Sequence, residues 1–308
     1  MNKRLLTTLG WVLILIYVLV TIVRRTFAPN LLPVPVSSAL ATFVPLIFLF
    51  VHGLLSYRLR DLLVFAVITL VVSNGFENLS VLTGFPFGHY HYSDTLGPKL
   101  FLVPVLIGPA YLATAYLAWT IARVILGATH SRLSGHLTFT VPLVAAFMMV
   151  SWDLAFDPIF STINHAWIWR DGGSYFGVPF SNFLGWLLTT FVFLQLFALY
   201  LKRSPNAHEE PSRTQNLQAV LFYGVIAVGY ILNGLIQDTG GTVTDPAGMV
   251  WRLQDIYAVT GLVAIFTMGT FTLLGLVKVL EASPAVEDTP AETTTHAVAS
   301  YSLSHQSD

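Results

Sequence analysis

Eight stretches of this chain stay apolar for about twenty residues each: about 5–23, 35–52, 61–82, 99–126, 136–153, 181–201, 215–236 and 255–279. No other feature narrows the fold so far. A bilayer core of about 30 Å is crossed by roughly 20 residues of helix. Inside it every backbone N–H and C=O must find a partner within the protein, which a helix provides from its own residues. Composition agrees: 10% of the residues are charged and mean hydropathy is +0.69, whereas soluble domains carry about 25% charge. The expected fold is an all-α, polytopic integral membrane helical bundle of about eight transmembrane helices with re-entrant or amphiphilic outer loops. It forms a single domain over residues 1–280. The segment 281–308, rich in Thr, Ser, Ala, His and acids, reads as a disordered cytoplasmic tail. The first span follows Lys3 and Arg4, but it is longer than a signal-peptide core and no small-x-small site follows it, so it reads as an uncleaved helix. Pro45 and Pro142 are expected in the first turns or so of their spans, where a missing N–H costs little.

Several chemistries are excluded on residue type. A net charge of −1 leaves no basic face for nucleic acid. The chain has no Cys, hence no thiolate nucleophile and no sulfur-ligated metal. His89, His91 and His165 fall on one side of the membrane, but no HxxxH, HxxHH or HExxH box exists. No strand–GxGxxG–helix offers a dinucleotide site. Lys3, Lys99, Lys202 and Lys278 all lie at span ends, which excludes a retinal Schiff base in mid-helix. No cofactor is expected.

Sorting the charges by loop gives a polarity. Ten of the fifteen Lys and Arg fall on the side of the termini, so the positive-inside rule places both termini in the cytoplasm of a cell-membrane protein. Eight of the sixteen acids (Glu77, Asp94, Asp153, Asp157, Asp171, Asp238, Asp245, Asp255) gather at the outer helix ends and outer loops. Three outer segments, 73–99, 152–186 and 233–255, mix these acids with amides, glycines and dense aromatics. Trp and Tyr belong in an interfacial belt on general grounds, but three such loops meeting on one acidic face indicate a site.

Within it, Glu77 lies in the last turns of the third span, beside Asn74 and Asn78, and an intramembrane carboxylate is a functional candidate. Asp153 and Asp157 are four apart and share a helix face, with Pro158 expected to mark the helix exit. Two carboxylates at a dry helix end repel, which suits one of them to act as an acid. Asp238 and Asp255 bracket the third outer loop, with Arg252 three residues before Asp255 as a local ion-pair partner.

With these residues in hand, the chain resembles the carotenoid biosynthesis membrane protein family, which includes carotenoid 1,2-hydratases and bisanhydrobacterioruberin hydratases. The resemblance rests on Glu77 followed by GFPFGHYHY at 84–92, DP at 157–158, WIW at 167–169, G-x-YFGVP at 173–179, and Asn182, Gly185 and Trp186 of an N-x-x-GW motif. It covers about residues 40–275. It implies addition of water to the terminal trisubstituted double bond of an acyclic, lycopene-like end group, giving a tertiary alcohol. The implied partners are that carotenoid, water and membrane lipid, with contact to other carotenoid-pathway membrane enzymes.

The residues suit this chemistry without the resemblance. Hydration needs a carboxylic acid able to protonate an alkene, a second group to hold water, and aromatic faces beside a tertiary cation. Glu77 and Asp157 are the candidates for proton donor and water holder in either order, with Asp153, Asn182 and Asp255 orienting them. Tyr90, Tyr92, Trp167, Trp169, Tyr175 and Trp186 are the candidate substrate-binding aromatics. Two alternatives are open. Asp153-Leu-Ala-Phe-Asp157 matches the second, DxxxD motif of membrane prenyltransferases, although Asn74-Gly-Phe-Glu77-Asn78 has one acid where their first motif has three. A non-enzymatic carotenoid-binding or proton-coupled transport protein would use the same acids as a relay.

Overall fold

The computed structural model describes residues 2–23, 32, 34–128, 133–203, 210–237 and 240–281. Asp238, Arg24, Arg25 and the tail beyond Glu281 lie outside them. The chain is an all-α polytopic membrane bundle. Its helices are α1 (Lys3–Val18, continued by a π-helical turn Leu19–Val23), α2 (Val34–Gly53), α3 (Leu59–Thr83), α4 (Ile107–Ile125) and α5 (Leu137–Asp157, continued by a π-helical segment Pro158–Ile163). They are followed by α6 (Phe180–Arg203), α7 (Arg213–Ile236), α8 (Leu253–Phe266) and α9 (Met268–Glu281). The last two form one rod broken at Thr267, so the described residues make eight helical rods.

Among the described residues, six of these rods are long and apolar enough to cross a membrane: Lys3–Val23, Leu59–Thr83, Leu137–Ile163, Phe180–Arg203, Arg213–Ile236 and Leu253–Glu281. Of the other two, α2 is apolar over Ala39–Gly53, and α4 is the central rod. α4 is buried without interruption from Tyr111 to Val124 and touches α2, α3, α5, α7 and α9. A helix surrounded by protein needs no lipid-facing stripe, which explains its polar Tyr, Thr and Trp content.

Three expectations about local structure need correction. The fourth span does not begin at 99: residues 99–104 form a two-stranded hairpin of β2 (Lys99–Leu100) and β3 (Val103–Pro104), and helix starts only at Ile107. Pro98 and Pro104 withhold the N–H groups that a helix there would need. Pro158 does not end α5. Asp157 keeps helical φ/ψ of −59° and −48°, and the chain continues in π form, with Asn164 N–H reaching Ile159 O at 3.0 Å. Pro45 lies in the middle of α2 rather than in its first turns.

The loops at one end of the bundle hold short antiparallel ribbons. β1 (Tyr90–Tyr92) pairs with β4 (Trp167–Trp169), and β5 (Thr242–Thr244) pairs with β6 (Val250–Arg252). The β1–β4 ribbon joins loops that are some seventy residues apart in sequence, and it positions the site.

Candidate active site

Side chains alternate across a strand, and in β1 and β4 the alternation divides each motif. Tyr90 and Tyr92 are buried while His91 is exposed; Trp167 and Trp169 are buried on either side of Ile168. Register sets Tyr90 opposite Trp169 and Tyr92 opposite Trp167. The two tyrosines of one strand hold Glu77, and the two tryptophans of the other hold Asp157.

Glu77 is 4% exposed. Its Oε1 accepts the Tyr111 hydroxyl (2.7 Å), and its Oε2 accepts the hydroxyls of Tyr92 (2.8 Å) and Tyr90. Burial, and then the neighbouring Glu77 charge, hold the Tyr90 and Tyr92 hydroxyls well above the ordinary tyrosine range, so both keep their protons. Asp157 Oδ1 accepts the indole N–H groups of Trp167 (2.9 Å) and Trp169 (3.3 Å). Its Oδ2 accepts Asn182 Nδ2 (2.7 Å), and the same amide donates to Asp153 Oδ2 at 2.8 Å. The i, i+4 spacing along an unbroken helix thus puts Asp153 and Asp157 on one face, as expected, and one amide bridges them. Asp153 Oδ1 is buried without a hydrogen-bond partner.

These groups surround a cavity of about 40 Å³, which widens to about 420 Å³ when its open mouth is counted. Eight of the eleven residues expected at the site line it: Glu77, Tyr90, Tyr92, Asp157, Trp167, Trp169, Asn182 and Trp186. The N-x-x-GW motif of α6 can be read residue by residue. Asn182 bridges the aspartates, and Trp186 stacks flat on Tyr111 at 4.4 Å and 5°. Gly185 leaves room for the preceding loop, since a Cβ there would stand 2.6 Å from Phe87 and 2.9 Å from the Pro86 backbone.

Three expected residues are placed elsewhere. Asp153 sits behind the wall and reaches the cavity only through Asn182. Tyr175 donates to Leu154 O (3.0 Å) and packs on Phe183, outside the lining. Asp255 is not brought to the cavity: it is bound by Arg252 Nε at 2.7 Å in the first turn of α8, and this local partner satisfies it. Sequence reading missed Tyr111, Trp152 and Phe156 in the lining. Tyr111 carries a faint signal, a phenol one turn into a span, but its importance depends on the central placement of α4. His89, His91 and His165 are exposed, His89 paired with exposed Asp171 at 3.0 Å.

The profile of the carotenoid biosynthesis protein family matches residues 35–243. The chain belongs to that family. All fourteen residues lining the cavity fall within the match, whereas Asp255 lies beyond it. The chain is also 35% identical, over 130 residues, to a bisanhydrobacterioruberin hydratase from Haloarcula japonica. That alignment spans 41% of this chain and 41% of the relative. No solved structure matches the chain.

Proposed function

We propose that this protein adds water across the terminal trisubstituted double bond of an acyclic carotenoid end group, giving a tertiary alcohol. The observation that carries the reading is the pair of carboxyl centres on one aromatic-lined cavity: Glu77 under three hydroxyls, Asp157 under three N–H groups. Membership of a carotenoid biosynthesis family and similarity to a hydratase support the substrate class.

The donor sets differ in a way that assigns roles. A tyrosine hydroxyl can donate or accept, so Glu77 can carry a proton if one hydroxyl turns to accept from it. Amide and indole N–H groups only donate, which fits Asp157 to remain a carboxylate. In the proposed reaction Glu77 gives its proton to the CH carbon of the alkene, and the π pair forms the new C–H bond. A tertiary cation results, flanked by Trp186, Trp167 and Tyr92 faces. Water held by Asp157 forms the C–O bond and loses its proton to that carboxylate. Proton transfer back to Glu77 closes the cycle with no net gain or loss. Asp153 and Asn182 position Asp157. None of the described lining residues is Lys or Arg, so the cavity offers a diphosphate no cationic partner.

The distribution of bases further supports both termini in the cytoplasm and the carboxylate pole at the outer face. Expression in lycopene-producing cells tests the reaction, a more polar hydroxylated carotenoid being the expected product. Retained product in both Glu77→Gln and Asp157→Asn would overturn the residue assignment. Carotenoid binding with no product in any form would favour a scaffold instead.

A further inference from the structure

Every polar side chain lining the cavity is buried, while the lining residues that keep exposed surface are apolar: Ile107 and Ala110 in the first turn of α4, and Phe156 near the end of α5. α4 and α5 pack against one another, so these residues mark the seam between them. The β2–β3 hairpin runs directly into α4 at this point. Its tip residue Phe101 is 81% exposed with φ of 57°, a left-handed backbone that bulky side chains seldom adopt. Val105, on the way into α4, is also exposed. The hairpin is nevertheless anchored. Leu102 N–H is held by Asn78 Oδ1 at 3.0 Å, one residue from Glu77, and Lys99 Nζ binds the Tyr92 carbonyl at 3.1 Å. An apolar tip is thus pinned beside the acid centre with nothing of the described chain over it.

We infer that this seam is a lateral portal in which an unsaturated isoprenoid chain lies partly in the cavity and partly in the bilayer. The enclosed space of about 40 Å³ is far smaller than a carotenoid, so the length of such a molecule must leave through a wall. The polar walls are closed and the apolar one is open. A rod threaded there contacts only hydrocarbon surface outside the cavity, where a polar mouth would have to be desolvated. The site therefore reads the chain end and leaves the rest of the molecule to the lipid. The identity of the chain rests on the hydration reading, while the apolar opening does not.

The chain has no cysteine, so single Ala110→Cys, Val105→Cys and, as a control on the exposed face of α9, Leu273→Cys proteins can each carry one nitroxide. Reconstituted full length in phosphatidylcholine vesicles, the labels at Ala110 and Val105 are expected to collide with lipid-soluble oxygen in preference to a water-soluble nickel chelate. The label at Ala110 should cut carotenoid conversion at least tenfold relative to unlabelled Ala110→Cys, and the label at Leu273 should not. Preferential collision with the chelate at Ala110, or undiminished conversion with Ala110 labelled, overturns the portal. If no form converts a carotenoid, the hydration reading fails and the collision data alone decide: oxygen preference upholds an apolar portal, chelate preference removes it.

Discussion

Two buried polar clusters among the described residues, one toward each end of the bundle, are built for opposite purposes. Around Glu77 and Asp157, side chains from α3, α4, α5, α6 and the β1–β4 ribbon turn their polar atoms toward an aromatic cavity. At the far pole, His52 of α2 sits 2.6 Å from the Tyr116 hydroxyl and 2.9 Å from the Gln215 carbonyl. The second contact places a hydrogen on Nε2 and leaves Nδ1 to accept from Tyr116. Nearby, Trp119 Nε1 donates to the Tyr57 hydroxyl (3.0 Å), Arg123 also reaches that hydroxyl, and Arg123 Nε binds Ala128 O (2.9 Å). These bonds run from helix to helix and helix to backbone, and they tie α2, α4 and α7 together. Burial alone does not mark an active site. The far cluster also borders a cavity, but none of its described lining residues is an acid. A cluster whose bonds close on the scaffold serves packing, and one whose acids share a cavity can serve chemistry.

That contrast can be tested by mutation. The largest effect is expected from Glu77→Gln, which removes the acid but keeps a group able to meet three hydroxyls. Product formation should fall about a hundredfold or more, with little change in melting temperature in detergent. Asn182→Leu should follow, with a loss of about tenfold or more, because it leaves Asp153 and Asp157 facing each other without their shared donor. Tyr111→Phe keeps the stack on Trp186 and deletes one bond to Glu77. A loss of roughly tenfold in turnover is expected, the worth of one charge-assisted hydrogen bond.

His52→Leu is the reverse case. It orphans the Tyr116 hydroxyl and the Gln215 carbonyl and should cost about 1–3 kcal/mol of stability, while activity per folded molecule is kept. An equal loss of specific activity in His52→Leu and Glu77→Gln would erase the distinction between the clusters.

The smallest effect is alkaline. Tyr90 and Tyr92 titrate above the ordinary range in the folded protein, so above about pH 10 the unfolded chain loses their protons first. Stability is intact below that pH and falls as pH rises toward the folded values. A Tyr90→Phe, Tyr92→Phe protein should lose less stability than the parent over that range, as followed by tyrosinate absorbance and melting.

Much of the fold was legible because apolar length is a one-dimensional property. The six membrane-length helices among the described residues, the shared face of Asp153 and Asp157, and the buried Glu77 all follow from spacing along single helices. The errors came where a residue's role depends on its neighbours in space. Asp255 was given an orienting role although its spacing from Arg252 already offered the ion pair that the structure forms. Tyr111 looked like one more aromatic in a span. Pro158 has the ordinary signature of a helix end, yet Asp157 keeps helical φ/ψ on the Asp153 face and the chain continues in π form.

The sequence by itself determined a membrane bundle, because too little charge was present for any other surface and helical spacing ordered the rest. It also contained YHY and WIW as separate motifs. Their joint meaning came from the tertiary structure: antiparallel pairing at the β1–β4 register sets two tyrosines against two tryptophans. Carboxyl groups from different helices thereby receive different partners on one cavity. Cross-strand register between distant loops is a long-range contact, and no local pattern in either segment specifies it.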